Sequence, residues 1–141
     1  MRNFTNLFDY LWHVRESPKR MLGGVVSYNR LSCYIDGYKL CLLIYEGMIR
    51  SDEERSIQLF TTLFEEFLRG RLSGSAAEKW GFTAMLVACV QPDVQEPCDS
   101  ITDPELDEKV VYKFFELYDE FLKHNENNEQ PEMRNRPEWY I

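Results

Sequence analysis

Between Thr102 and His124 the chain carries two apolar stripes side by side. One is Val110, Phe114, Leu117 and Phe121; the other is Val111, Phe115, Tyr118 and Leu122. Steps of three and four keep each stripe on one face of an α-helix. An apolar arc that wide has to be covered from more than one side, so this helix belongs at the centre of a helical assembly. Its ends are marked as well. Thr102 and Glu105 have the spacing of a capping box. Pro104 falls in the first turn, where its missing N–H costs nothing, and His124 lies in the last turn, where a cation favours the helix dipole.

Other helices can be placed around it. Phe4, Leu7, Phe8, Leu11 and Trp12 form an amphipathic stripe over about residues 5–14, interrupted by Ser17-Pro18. Gly23-Gly24 marks a turn. From Ser27 to about Ile49, Leu31, Ile35, Tyr38, Leu42, Tyr45 and Ile49 share a face. Gly37 interrupts that helix at a cost of about 1 kcal/mol relative to Ala, which leads us to expect another backbone packed close against it. Ser51 with Glu54 opens a further helix carrying Ile57, Phe60, Phe64 and Phe67, and 70–74 reads as a loop. Ser75 with Glu78 opens a helix from Ala76 to about Val90, which Gln91-Pro92 stops. No period-two run is long enough for a strand. The expectation is an all-α, single-domain bundle of about five to six helices over residues 1–141, with 125–141 a polar tail whose apolar end, Trp139-Tyr140-Ile141, docks back on the domain.

Charge divides the chain. Residues 1–50 carry seven Lys/Arg against four Asp/Glu; residues 51–141 carry nine against twenty. The extreme is 91–108, with seven carboxylates (Asp93, Glu96, Asp99, Asp103, Glu105, Asp107, Glu108) and no Lys or Arg. Such a surface repels nucleic acid and anionic membrane and attracts basic partners over a distance. The one basic cluster, Arg15–Lys19–Arg20, lacks aromatic interleaving and is a thin nucleic-acid signal. No stretch approaches the roughly 18 apolar residues of a membrane span, and the N-terminus lacks a continuous apolar signal region. Four cysteines without an export signal point to reduced thiols in the cytoplasm. Cys33, Cys41 and Cys89 read as buried, Cys98 as exposed.

Motifs for chemistry are missing. The cysteine spacing fits no zinc module. Glu105/Glu108 and Glu116/Asp119 have the E-x-x-E and E-x-x-D spacing of Mg²⁺-dependent all-α nucleotide hydrolases, but both pairs lie on one helix. Glu108 and Glu116 are then roughly 12 Å apart along the axis, too far to share an ion. There is no P-loop, no G-x-S-x-G and no G-x-G-x-x-G. The reading is of a protein that is not an enzyme and needs no metal or other cofactor.

The stretch from Arg15 to Tyr38 resembles a pattern in bacterial immunity proteins, the antidotes of contact-dependent growth inhibition and related polymorphic toxins. Pro18, Met21 and Gly23 match the turn after the first helix; Leu31, Ile35, Gly37 and Tyr38 match the core face of the second. The resemblance implies a cytoplasmic inhibitor that binds a cognate basic toxin domain, often a nuclease, by stoichiometric occlusion, with no role for nucleic acid or membrane. The partner-binding residues expected on this reading are Asp93, Glu96, Asp99, Asp103, Glu105, Asp107, Glu108 and Tyr112, with Glu65/Glu66, Trp139 and Tyr140 as further candidates. Carboxylates would steer and orient; aromatic anchors would supply most of the binding energy. The alternatives are a helical adaptor or regulatory domain for a basic protein partner and, further off, the Mg²⁺-dependent hydrolase.

Overall fold

The computed structural model describes residues 7–44, 63–72 and 80–124. Six helical segments and no strand occur among them, as an all-α bundle requires. They are α1 (Leu7–Glu16), α2 (Pro18–Met21), α3 (Tyr28–Ile44), α4 (helical over 63–71), α5 (Phe82–Val90) and α6 (Pro104–His124). α6 packs against both α5 and α3, and α1 packs on α2. Both stripes of α6 are buried along their whole length, which is the central position its sequence demands.

The hub of the core is Phe64 on α4. Its ring lies 5.2 Å from that of Phe121, 5.7 Å from Phe114, 5.7 Å from Phe82 and 6.2 Å from Tyr118, so α4, α5 and α6 meet on one side chain. Most of these pairs are tilted or edge-to-face, the geometry that aromatic quadrupoles favour. At the far side α1 contributes Leu7, Leu11 and Val14, all fully buried. Arg15 Nη1 reaches 2.7 Å to Asp119 Oδ1, tying α1 to α6. Asp119 is nearly half exposed, so this contact sets orientation more than stability. The basic cluster is thereby split: Arg15 is engaged internally, while Lys19 and Arg20 face solvent.

The α2–α3 turn has a full backbone account. Gly24 N–H donates to Lys19 O at 2.7 Å and Gly23 N–H to Arg20 O at 3.5 Å, the crossed pair of a Schellman closure. Both glycines have positive φ, 78° and 95°, which an L side chain resists. Arg30 on α3 then clamps the turn, its Nη1 donating to Leu22 O at 2.8 Å and Gly23 O at 3.0 Å.

α3 is capped from two sources. Ser27 Oγ accepts from Arg30 N–H at 3.3 Å, an ordinary N-cap. The second cap comes from α6: Asp107 Oδ1 accepts from Asn29 N–H at 3.0 Å, and its Oδ2 accepts from the Ser27 hydroxyl at 2.5 Å. A buried carboxylate thus sits at the positive end of α3 with both oxygens satisfied. Asn29 Nδ2 also donates to Ile101 O at 2.9 Å, pinning the loop before α6.

Several sequence expectations change. α1 runs two residues beyond Val14, and Ser17-Pro18 opens the single turn of α2 with Pro18 at its first position rather than simply breaking the chain. Gly70 is still helical, so α4 ends later than the glycine implied. The helix expected from Ala76 starts instead at Phe82, with extended Gly81 as its N-cap, and Trp80 is not helical. At α6 the cap is Asp103, whose Oδ1 accepts from Glu105 N–H at 3.1 Å, in place of the Thr102–Glu105 box. Gly37 is exposed, and a Cβ there would meet nothing within 4 Å, so no close backbone explains it. Cys33 is exposed rather than buried, Cys89 is half-buried and Cys98 is exposed as read. The Ser51–Glu54 and Ser75–Glu78 boxes, Tyr45, Ile49, Ile57, Phe60 and the 125–141 tail lie outside the described residues.

Two substitutions test this core. Phe64→Ala should lose about 3–5 kcal/mol, since it empties the junction of three helices. Asp107→Ala should lose about 1–3 kcal/mol by leaving the buried Ser27 hydroxyl and the part-buried Asn29 N–H unpaired, far more than Glu108→Ala one position along. Urea denaturation midpoints at constant m-value report both.

Candidate functional site: an acidic cleft with an aromatic floor

On α3, Tyr28, Ser32, Ile35 and Asp36 fall at i, i+4, i+7 and i+8, one face of the helix. That face forms a wall of a cleft of about 530 Å³. Opposite it are Phe64 and Glu65 of α4, the segment from Trp80 to Thr83 that begins α5, and Glu96, Pro97 and Asp99 of the loop; Phe114 of α6 closes the base. The floor is aromatic. Tyr28 and Phe114 lie 6.4 Å apart, as do Phe82 and Phe114, and Phe64 touches both Phe82 and Phe114.

Four carboxylates line the cleft (Asp36, Glu65, Glu96, Asp99), and none of the described lining residues is Lys or Arg. They come from α3, α4 and the loop, segments far apart in the chain. Among the described residues Arg69, one turn along α4, pairs with this set, its Nη2 lying 3.4 Å from Glu65 Oε1 and donating to Trp80 O at 3.1 Å. Among the described residues Asp36, Glu96 and Asp99 have no ion pair. The Asp107 cap and the Asn29–Ile101 bond hold α3 and the loop together at one end of this arrangement.

The tyrosine on the floor responds to these surroundings. Burial pushes the Tyr28 hydroxyl up from 10.0 to about 12, helped by the Asp36 charge and opposed by hydrogen bonds from the Thr83 and Ser32 side chains. Burial likewise raises Tyr10, with Tyr34 adding to it, and raises Tyr118 in the core. Cys89 is raised by burial, which disfavours the thiolate that nucleophilic chemistry uses. No group of three His, Cys, Asp or Glu among the described residues is arranged to hold a metal ion.

The expected site residues separate into three groups. Glu96 and Asp99 enter the cleft. Asp93, Asp103, Glu105 and Glu108 are exposed, Glu105 with Lys109 Nζ at 3.9 Å and Asp103 occupied in part by the α6 cap. Asp107 points inward, only 9% exposed, and leaves the exposed acidic surface altogether. Its i, i+3, i+4 relation to Val110 and Val111 puts it on the buried side of α6, a signal the charge run concealed. Tyr112 is exposed at 54% and does not line the cleft. Glu65 enters the cleft while Glu66 is exposed beside it; Trp139 and Tyr140 lie outside the described residues. Asp36, Tyr28, Trp80 and Thr83 were not singled out from sequence. The polar residues Ser32 and Asp36, four apart beside the Leu31–Ile35 stripe, were the available hint.

No known protein family, curated protein or solved structure matches the chain. No helix among the described residues is long and apolar enough to cross a membrane.

Because Tyr28 is raised in the folded state relative to an unfolded tyrosine, its contribution to stability is complete below about pH 10. It is lost as pH rises through about 12. Tyr10 and Tyr118 act in the same direction. Absorbance titration of phenolate should show a late-ionising group that Tyr28→Phe removes. Unfolding free energy should be lower at about pH 11 than at about pH 9.

Proposed function

We propose that this chain is an immunity protein: a stoichiometric inhibitor that binds and neutralises a cognate basic toxin domain, of the nuclease class, through its acidic face. The observation that carries the reading is the state of the carboxylates in 91–108. Six of the seven are exposed, and Asp93, Glu96, Asp99 and Glu108 have no cation beside them among the described residues. An unneutralised surface of one sign raises the encounter rate with a partner of the opposite sign and suppresses wrong partners. A nuclease cleft is positive because it holds phosphate, and covering it with carboxylates blocks the substrate by competition for the same charges. Tyr112, exposed one turn after Glu108, is the aromatic group placed to add contact area at the edge of that face.

The test is co-expression with the product of the adjacent toxin gene. The two should co-purify at one to one, and the chain should protect cells from the toxin. Replacing Asp93, Glu105 and Glu108 together by Lys should lower the association rate by about tenfold or more at low salt and flatten its salt dependence. The variant should still fold, because none of the three is buried. An unchanged association rate at low salt would remove the acidic face as the binding surface.

A further inference from the structure

We infer that the cleft between α3, α4, the start of α5 and the loop after it is a receptor for one arginine side chain presented by the basic protein partner. The inference rests on the partner reading above and deepens it: charge on the outer face brings the partner in, and this cleft fixes its register.

Three features select the occupant. The cleft's volume, about 530 Å³, lies within the roughly 300–1,000 Å³ of sites that enclose a small ligand or a protruding side chain. Its floor is aromatic, with Phe114 in contact with both Tyr28 and Phe82 and half-buried Trp80 at the wall. Its rim is anionic, with Asp36 from α3 and Glu96 and Asp99 from the loop, none of them neutralised by a neighbour among the described residues. A neutral apolar ligand would leave three carboxylates desolvated and unpaired, which is costly. An anion is repelled. A cation satisfies rim and floor together.

Guanidinium fits better than ammonium. It is planar, so it can lie on an aromatic face while its edge donates to carboxylates on two sides, and it is more weakly hydrated, so entering the cleft costs it less. Metal ions are disfavoured because no three His, Cys, Asp or Glu side chains among the described residues converge closely enough to coordinate one. Glu65 is the least available of the four acids, since Arg69 already shares it. The residues that would hold the arginine are therefore Asp36 and Asp99 across the rim, with Glu96 beside them and Trp80 as the stacking surface.

The experiment uses the full chain and three probes of matched shape: N-acetyl-arginine methylamide, the lysine equivalent, and the neutral citrulline equivalent. Chemical shifts of the Trp80 indole N–H and the Thr83 and Ser32 amides report occupancy. The arginine probe should give saturable shifts at these positions, the lysine probe weaker ones and the citrulline probe none. Asp36→Asn with Asp99→Asn should weaken the arginine probe by about tenfold or more while leaving the melting temperature within a few degrees. No saturable shift with arginine, or equal binding of citrulline, overturns the receptor. In parallel, the partner's association and dissociation rates are measured with the same double variant and with the Asp93/Glu105/Glu108 triple variant. Arginine binding with an unimpaired triple variant removes the steering face and keeps the receptor. A slowed triple variant without arginine binding removes the receptor and keeps the face. If the double variant binds arginine poorly but dissociates from the partner no faster than the natural chain, the cleft is not where the partner inserts, and the inference fails on that arm.

Discussion

One carboxylate fixes the relation between α3 and α6. Asp107 belongs to the first turns of α6, yet it caps α3, taking the Asn29 N–H and the Ser27 hydroxyl in a buried site. A charge in that position is tolerable because both oxygens are used and the α3 dipole favours it. Once α3 is seated on α6 in this way, Asn29 also holds the loop through Ile101. Asp36, two turns further along α3, then lines the same cleft as Tyr28, Glu96 and Asp99. The cleft is a consequence of the cap. Its depth comes from the aromatic rings packed beneath it around Phe64.

The apolar pattern carried most of the architecture. Two adjacent stripes placed α6 at the centre because no single neighbour could cover them, and burial along both stripes follows from the same periodicity. Proline and glycine signals located the α2–α3 turn, whose two positive-φ glycines close a helix end in the way such residues do. Helix starts were less legible. Ser-x-x-Glu and Thr-x-x-Glu patterns are only permissive, and at α6 Asp103 won the cap because it lies one residue nearer the Pro104 that opens the helix. Gly37 misled in another way: propensity says what a glycine costs, while only packing says whether a neighbour required it, and in α3 none does.

The site was legible in sign but not in shape. A run of seven carboxylates reads as one acidic surface, because sequence adjacency is the only geometry a sequence displays. In the fold the run divides three ways: Asp107 turns inward as a cap, Glu96 and Asp99 enter the cleft, and the rest face solvent. Asp36 and Glu65 join from 60 and 31 residues before Glu96 respectively, and nothing local marks them as companions of the loop. Such convergence is a property of tertiary packing, so composition carries the sign of the surface without locating the cleft.

The cleft has a cost of its own. Its acidic walls are contributed by three separated segments and are brought together only when the chain folds, so their mutual repulsion is absent from the unfolded state and present in the native one. Mobile cations in the surrounding salt screen that repulsion over distances of about 10 Å. Any cation that fills the cleft relieves more of it and, by binding only the assembled walls, draws the whole folding equilibrium with it. Were the proposed receptor occupied, recognition and stability would share one set of charges, and the helices would be held most firmly with the cleft filled.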